Sequence, residues 1–261
     1  MNFVECGDKY GRPVVFVHGV GFGSWMWRVH MGHFSDYRCI LPILPGHGHD
    51  DESCALTMDE HVDALAALIK KSCAGKKAYV VGHSFGGQLV VHLAARYPEL
   101  VEGALVLSAL MRTVKVAYYL FMRPFSRFLP SLFRFKWIRS LLASSFQVTD
   151  PAMREMFMTD LEGMNGTSFL SYTIANQECR VPEGLSESTV PIVCVCGSAE
   201  VVQMKRSLDD LRSSNPQMVQ AVHIKGANHF YPWTRPELVS GVVREWLEKN
   251  AVQASRDVAT L

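Results

Sequence analysis

The chain has 261 residues, 48% of them hydrophobic and 20% charged, and its formal net charge is +1. This composition is typical of a folded globular protein, argues against a disordered chain, and gives no electrostatic reason to expect nucleic-acid binding. The length suits one α/β domain with a large core and an inserted subdomain.

Residues 1–13 lack the apolar core of a signal peptide, and no apolar run approaches the length of a membrane span. The seven cysteines are an odd number and are scattered along the chain. We therefore expect a reduced, cytoplasmic protein whose cysteines are mostly small buried residues. Cys194 and Cys196 share one apolar strand, where we expect them to pack on opposite faces of the sheet and not to form a redox or metal site.

Apolar, β-branched runs alternate along the chain with segments of helical periodicity. The predicted strands are 14–17, 39–44, 79–81, 103–107, 192–196 and 219–224. The predicted helices are 23–34, 58–72, 88–96, 207–213 and 236–249, and residues 252–261 are expected to fray. This alternation predicts an α/β fold with a mostly parallel central sheet and helices on both faces.

The alternation is interrupted between residues 109 and 190, where no strand-like run occurs. Helical segments prevail there, and they hold eight of the 14 phenylalanines. So many apolar side chains must be buried partly within this segment and partly against the main domain. We predict a helical cap whose remaining apolar side chains line a pocket over the sheet.

The segment Gly82-His83-Ser84-Phe85-Gly86-Gly87 follows the strand at 79–81 and precedes an amphipathic helix. It fits the pattern G-x-S-x-G, in which small residues let the backbone turn sharply around a serine at the apex. The hydroxyl then points away from the strand, and the helix N-terminus offers backbone N–H groups to an anion. Nucleophilic acyl chemistry uses both features, so Ser84 is the candidate nucleophile.

Together with three further motifs, this turn resembles the α/β-hydrolase superfamily over most of the chain. The motifs are Phe16-Val17-His18-Gly19-Val20-Gly21, Pro42-Ile43-Leu44-Pro45-Gly46-His47-Gly48 and Gly226-Ala227-Asn228-His229-Phe230. The resemblance implies the α/β-hydrolase fold, with a core of residues 1–108 and 191–250. It also implies a helical cap at 109–190 inserted after the sixth strand, a C-terminal tail at 251–261, no metal and no cofactor.

The resemblance further implies a catalytic triad. Ser84 is its nucleophile, and His229 is the base because it follows the last strand. The family usually has an Asp as the acid, whereas Gly197-Ser198-Ala199-Glu200 places Glu200 at that position, and its longer side chain can still accept the imidazole N–H. Asp209 and Asp210 on the next helix stay open as alternative acids.

The oxyanion hole is expected, by the same resemblance, at the backbone N–H groups of Val20 and Phe85. We expect His83 to point away from the nucleophile. His30 and His33 have helical i, i+3 spacing, and we expect them on a solvated or partly packed helix face and not in a metal site.

These features predict a serine hydrolase that cleaves a carboxylic ester, thioester or lactone with an apolar part through an acyl-enzyme. Two alternatives stay open. The same triad can hydrolyse carbon–carbon bonds or support cofactor-free perhydrolysis. The chain can also be a ligand-binding or regulatory protein with slow or vestigial hydrolysis, because sites and not folds decide function.

The start of the predicted cap is strongly basic. Residues 109–149 contain no acidic residue and carry a charge of +7, against +1 for the whole chain. A basic, aromatic-rich cap can meet an anionic substrate, a phospholipid surface or a partner. We expect instead that the long basic side chains cover apolar cap surface with their stems. The seven basic residues are Arg112, Lys115, Arg123, Arg127, Arg134, Lys136 and Arg139.

Overall fold

The computed structural model describes residues 1–47, 56–113, 125–126 and 128–259, with side chains up to residue 250. Gly48, Cys54, Lys115, Phe121, Arg123 and Arg127 lie outside the described residues. Seven strands in the described residues form one sheet in the order β1-β3-β2-β4-β5-β6-β7. They are β1 (Asn2–Gly7), β2 (Pro13–Val17), β3 (Arg38–Ile43), β4 (Ala78–His83), β5 (Val101–Leu107), β6 (Ile192–Gly197) and β7 (Val219–Ile224).

The pairing confirms the predicted mostly parallel sheet. β1 runs antiparallel to β3, and the other five pairings are parallel. β1 itself was not predicted. It is an edge strand with five of its six residues exposed, so it carries no buried apolar run that a sequence pattern could reveal.

The helices agree with the predicted alternation, although several ends differ. They are α1 (Met58–Ser72), α2 (Phe85–Arg96), α3 (Lys136–Ser145), α4 (Pro151–Gly163), α5 (Gly166–Glu178), α6 (Val202–Ser214), α7 (Tyr231–Thr234) and α8 (Pro236–Ala259). Ser24–Phe34 forms 3₁₀ turns, and α8 continues past its predicted end at residue 249. α1 starts where predicted because Thr57 and Glu60 form a reciprocal capping box. Among the described residues, no helix has both the length and the apolar composition needed to cross a bilayer.

Two clusters of buried apolar side chains cover the two faces of the sheet. Alternate residues of β4 enter different clusters, because successive side chains of a strand point to opposite faces. Val80 packs in the cluster that contains α1 and α2, whereas Val81 packs in the cluster that contains the 3₁₀ segment and α8. Helices therefore cover both faces, as predicted.

Cys194 and Cys196 both belong to the cluster with α1 and α2, so the prediction that they face opposite sides of the sheet is wrong. Residues two apart on a strand share a face. Burial raises the pKa of both thiols to about 12. Both therefore stay protonated at neutral pH and act as small packing groups.

The segment between β5 and β6 carries α3, α4 and α5. The resemblance implied an insertion after the sixth strand, and β5 is the fifth strand among the described residues. Phe157 of α4 and Tyr172 of α5 are fully buried. The Phe157 ring lies 5.4 Å from the ring of Phe22, and the Tyr172 ring lies 5.1 Å from that of Phe85. The inserted helices thus pack over the loop that follows β2 and the turn that follows β4.

Candidate active site

Ser84 occupies a sharp turn between β4 and α2. Its φ of 55° lies in the left-handed region, which is rare for a residue other than glycine and marks a strained backbone. The turn is so tight that a Cβ on Gly82 would lie 2.3 Å from the carbonyl oxygen of Gly86. The backbone N–H of Ser84 donates to the carbonyl oxygen of Leu107 at 2.8 Å, which ties the turn to β5.

The three residues predicted as a triad lie in one hydrogen-bonded chain. Ser84 Oγ is 3.1 Å from His229 Nε2, and His229 Nδ1 is 2.9 Å from Glu200 Oε2. A carboxylate only accepts, so Nδ1 carries the proton and Nε2 is free to accept from the Ser84 hydroxyl. The three residues follow β4, β6 and β7, whose carboxyl ends meet at one edge of the parallel sheet.

Glu200 is held as a buried carboxylate, with 1% of its side chain exposed. Its Oε1 accepts hydrogen bonds from the backbone N–H of Gly197 at 2.9 Å and from the hydroxyl of Ser108. Burial alone would raise the pKa of Glu200. The hydrogen bond and the electrostatic attraction of His229, together with the hydrogen bonds from Ser108 and Gly197, outweigh burial and lower the pKa of Glu200 below its ordinary value. Glu200 is therefore ionised at neutral pH.

The alternative acids on α6 are placed elsewhere. Asp210 receives two hydrogen bonds from the guanidinium of Arg112, at 2.5 and 2.7 Å. Asp209 is exposed to solvent. The carboxylate that contacts His229 is that of Glu200.

Ser108, at the end of β5, is a site residue that the sequence analysis missed. Besides donating to Glu200, its hydroxyl lies 3.3 Å from the hydroxyl of the fully buried Tyr231. Its φ of 55° turns the chain out of the strand toward the carboxylate. A serine that ends the apolar run Ala104–Leu107 was the available signal, because polar residues at the carboxyl ends of parallel strands gather at one edge.

His83 also belongs to the site, whereas we expected it to point away. Its ring lies 4.8 Å from the ring of His229, and its Nε2 is 3.0 Å from the carbonyl oxygen of His229. A carbonyl only accepts, so Nε2–H donates to it. Complete burial and the neighbouring His229 lower the pKa of His83 well below its ordinary value, so this donor is a neutral imidazole.

The loop that follows β2 lies against the nucleophile. A Cβ on Gly19 would be 3.2 Å from the Cβ of Ser84. The backbone N–H groups predicted for the oxyanion hole belong to Val20 and Phe85, the residues that directly follow the two partners of this contact in the chain. Among the residues that the structure describes, neither of these N–H groups has a hydrogen-bond acceptor.

Two buried histidines hold this loop. His18 Nδ1–H donates to the carbonyl oxygen of Gly19 at 2.9 Å, and His18 Nε2 accepts from the N–H of Leu44 at 3.0 Å. His47 Nε2 accepts from the N–H of Gly21 at 3.0 Å. Burial lowers the pKa of His18 to about 4, so the ring stays neutral and keeps both roles.

A cavity of about 490 Å³ lies beside Val20 under the inserted helices. Its lining is mostly aromatic and aliphatic, and it includes no charged side chain among the described residues. Polar groups are contributed mainly by Asn176 and Gln177 of α5 and by Ser126. The main apolar lining residues are Phe22, Leu129, Phe133, Phe146, Phe157 and Tyr172.

His30 and His33, whose i, i+3 spacing could suit metal ligands, form hydrogen bonds or ion pairs with other side chains. His30 Nδ1 lies 2.8 Å from the hydroxyl of Ser240, and His33 Nε2 lies 3.3 Å from a carboxylate oxygen of Glu237. In the described part of the chain, no group of three or more His, Cys, Asp or Glu side chains is arranged to hold a metal ion.

A model of the alpha/beta hydrolase family matches residues 14–242. The chain belongs to this family. The family predicted from the sequence and the predicted fold class are thereby confirmed.

The chain is 40% identical over 107 residues to Lipase LipV of Mycobacterium tuberculosis, a stretch that covers 41% of each protein. It is 32% identical over 129 residues to a haloalkane dehalogenase of Mesorhizobium japonicum, which covers 49% of this chain and 37% of the relative. The chain thus spans about two fifths of the length of these curated relatives, and their names describe different reactions.

Two solved structures match nearly the whole chain. The enol-lactonase from Burkholderia xenovorans LB400 superposes with a TM-score of 0.79 at 16% identity, covering 95% of this chain and 96% of that one. A thermophilic esterase from Thermogutta terrifontis superposes with a TM-score of 0.76 at 22% identity, covering 95% and 93%. At these identities the likeness shows a shared fold alone.

Proposed function

We propose that the protein is a serine hydrolase that cleaves a carboxylic ester, thioester or lactone through an acyl-enzyme on Ser84. The observation that carries the proposal is the continuous hydrogen-bonded chain from Ser84 through His229 to the buried carboxylate of Glu200. A serine hydroxyl is a weak nucleophile by itself, and an adjacent base oriented by an acid is what activates it.

In the proposed reaction, Ser84 Oγ attacks the carbonyl carbon while His229 Nε2 takes its proton. Glu200 stabilises the imidazolium that forms, and the N–H groups of Val20 and Phe85 donate to the oxyanion. His229 then returns the proton to the leaving group, which departs and leaves the acyl group on Ser84. Water, activated by His229, attacks the acyl-enzyme and releases the acid.

The cavity under the inserted helices supports a substrate with an apolar part. Its aromatic and aliphatic lining favours a hydrocarbon acyl or alcohol group, because burying that group removes it from water. A charged substrate group would enter without a charged partner among the described lining residues, and such burial is costly. We therefore expect uncharged esters to be better substrates than esters that carry a carboxylate.

A fluorophosphonate probe tests the nucleophile. We expect one labelled residue, Ser84, and no labelling of Ser84→Ala with its fold intact. Ester hydrolysis by the same variant should fall to background. Labelling at another serine, or folded wild-type protein that neither labels nor turns over a panel of activated esters, would contradict the proposal. Thermal stabilisation by ligands without turnover would instead favour a ligand-binding protein.

A second experiment tests the acid. Glu200→Gln should lower kcat by about 10⁴, because the histidine loses its orienting carboxylate. Asp209→Asn is the matched control, since it neutralises an exposed carboxylate on the neighbouring helix α6 and should leave kcat near the wild-type value. Loss of activity in the control variant with near-normal activity in Glu200→Gln would show that the acid is assigned wrongly.

A further inference from the structure

The inserted helices expose an unusual set of apolar side chains to solvent. Six of them, all between residues 125 and 141, have 37% to 67% of their surface exposed. Large exposed apolar patches on proteins mark sites of contact with other molecules. We call this set the cap surface: Phe125, Phe128, Leu132, Phe135, Trp137 and Leu141.

The cap surface is built from two helical turns, each with an apolar residue on its outer side. Phe128 and Leu132 are one turn apart in the helical residues 128–132, and Trp137 and Leu141 are one turn apart on α3. Residues on the inner side of the same turns, including Leu129 and Leu142, line the cavity. In the described part of the chain, the inner side supplies the apolar contacts of these helices, and packing among those residues does not account for the apolar outer side.

Arg134 and Lys136 lie among these residues, and neither forms an ion pair with an acidic side chain in the described part of the chain. The guanidinium of Arg134 lies 4.6 Å from the centre of the Phe135 ring. Two other basic residues of the stretch 109–149 are neutralised, since Arg112 pairs with Asp210 and Arg139 pairs with Glu162. We expected the long basic side chains to cover apolar parts of the inserted segment with their stems, whereas the six apolar residues of the cap surface have more than a third of their surface exposed.

We propose that the cap surface docks on a phospholipid bilayer that contains anionic lipid. Trp and Phe side chains insert favourably at the level of lipid headgroups, and neighbouring Arg and Lys side chains are attracted to anionic headgroups. A second copy of the chain fits less well, because a two-fold interface would bring Arg134 and Lys136 of both copies together. The stretch 109–149 has no acidic residue to offset that repulsion.

The placement of the cap surface would also bring the bilayer close to the cavity beside Val20. Leu129 and Phe133 line the cavity on one side of the helical turn whose other side carries Phe128 and Leu132. Docking would therefore place the cavity about one helix diameter, ~10 Å, from the lipid. An apolar ester dissolved in the bilayer would then reach the cavity over a short path.

Vesicle sedimentation of Ser84→Ala protein tests the proposal, because this variant leaves lipid esters intact and binding is measured whether or not the hydrolase assignment is right. We expect binding to vesicles of equal parts phosphatidylcholine and phosphatidylglycerol at low salt. High salt or pure phosphatidylcholine should weaken binding strongly. Absence of binding to the anionic vesicles at low salt would overturn the proposal.

Two double variants in the same background separate the apolar and the basic contributions. Arg134→Gln with Lys136→Gln should weaken binding by about fivefold per charge. Trp137→Ala with Leu141→Ala should weaken it by about tenfold per side chain. Unchanged binding of either variant would show that the cap surface is not the contact.

The matched control is Lys9→Gln with Tyr10→Ala, in the turn between β1 and β2. Tyr10 is exposed and Lys9 lies over its ring at 4.7 Å, so this pair has the same chemistry outside the cap. The control should bind anionic vesicles as the parent does, and an equal loss would mean non-specific attraction. Circular dichroism checks that each variant is folded. A second outcome would also overturn the proposal: the parent does not bind vesicles but dimerises with increasing concentration, and Trp137→Ala with Leu141→Ala abolishes the dimer. The cap surface would then be assigned to contact with a second copy of the chain.

Discussion

The hydroxyl of Ser108 joins β5 to the buried carboxylate of Glu200, and we predict that removing it weakens both stability and turnover. In Ser108→Ala, Oε1 of Glu200 keeps the backbone N–H of Gly197 at 2.9 Å and loses the hydroxyl donor. Because only 1% of the Glu200 side chain is exposed, bulk solvent does not reach Oε1 to replace the hydroxyl.

The magnitude follows from the charge of the acceptor. A hydrogen bond to a charged group contributes about 1.5–3 kcal/mol, so the free energy of unfolding at pH 7 should fall by about that amount. The pKa of Glu200 should rise, since the Ser108 hydrogen bond lowers it. The hydrogen bond from His229 remains, and Glu200 stays ionised at neutral pH. We therefore expect kcat to fall only about tenfold, as for roughly 1.4 kcal/mol of lost transition-state stabilisation.

Urea unfolding of four proteins tests the origin of the effect: the wild type, Ser108→Ala, Glu200→Gln and the double variant. If the hydroxyl acts on the carboxylate, Ser108→Ala should lower the free energy of unfolding by less in the Glu200→Gln background than in the wild type, and the difference should be about 1 kcal/mol or more. Ser207→Ala is the matched control. The buried hydroxyl of Ser207 accepts a hydrogen bond from the N–H of Met111 at 2.9 Å. Ser207→Ala should therefore lower the free energy of unfolding by about 1 kcal/mol and leave kcat unchanged.

Equal costs of Ser108→Ala in both backgrounds, within about 0.5 kcal/mol, would refute the reasoning, because independent sites add. A kcat at the wild-type value, together with a lowered stability, would show that Ser108 supports the fold and not the orientation of Glu200.

His83→Phe removes the N–H donor to the carbonyl oxygen of His229 and keeps an aromatic ring, so kcat should fall about three- to tenfold in steady-state assays; a wild-type kcat would contradict a positioning role. Because the pKa of Glu200 is lower in the folded state, ionised Glu200 stabilises the fold at pH values above 4.5, the ordinary Glu pKa. This stabilisation is lost as the pH falls through the lowered folded-state pKa. Urea unfolding between neutral and acidic pH should therefore show a steeper acid loss for the wild type than for Glu200→Gln, and parallel curves would contradict the shift. Gly19→Ala would place a Cβ 3.2 Å from the Cβ of Ser84, so kcat should fall by roughly tenfold to a hundredfold with an unchanged circular dichroism spectrum; full activity would argue against a tight contact between this loop and the nucleophile.

The sequence by itself determined the parts of the protein whose causes are local. The turn around Ser84 could be predicted because the pattern of small residues permits a sharp turn between a buried strand and a helix. α1 could be placed because its periodicity and its cap at Thr57 both lie within one segment. Glu200 and His229 could be assigned through the resemblance of their motifs to the α/β-hydrolase superfamily, and both follow strands of a parallel sheet, whose carboxyl ends meet at one edge.

Only the tertiary structure decided which distant groups touch. Ser108 contacts a carboxylate 92 positions later in the chain, and His83 contacts a carbonyl 146 positions later. Those contacts depend on the order of the strands and on the exact course of the loops that follow them, and local periodicity carries no information on either. The sequence could not show which apolar side chains of the inserted helices would form the cap surface, for a related reason. Residues 128–142 are apolar on more than one side, so their hydrophobicity cannot tell which side is buried, and only packing against the rest of the protein leaves Trp137 exposed.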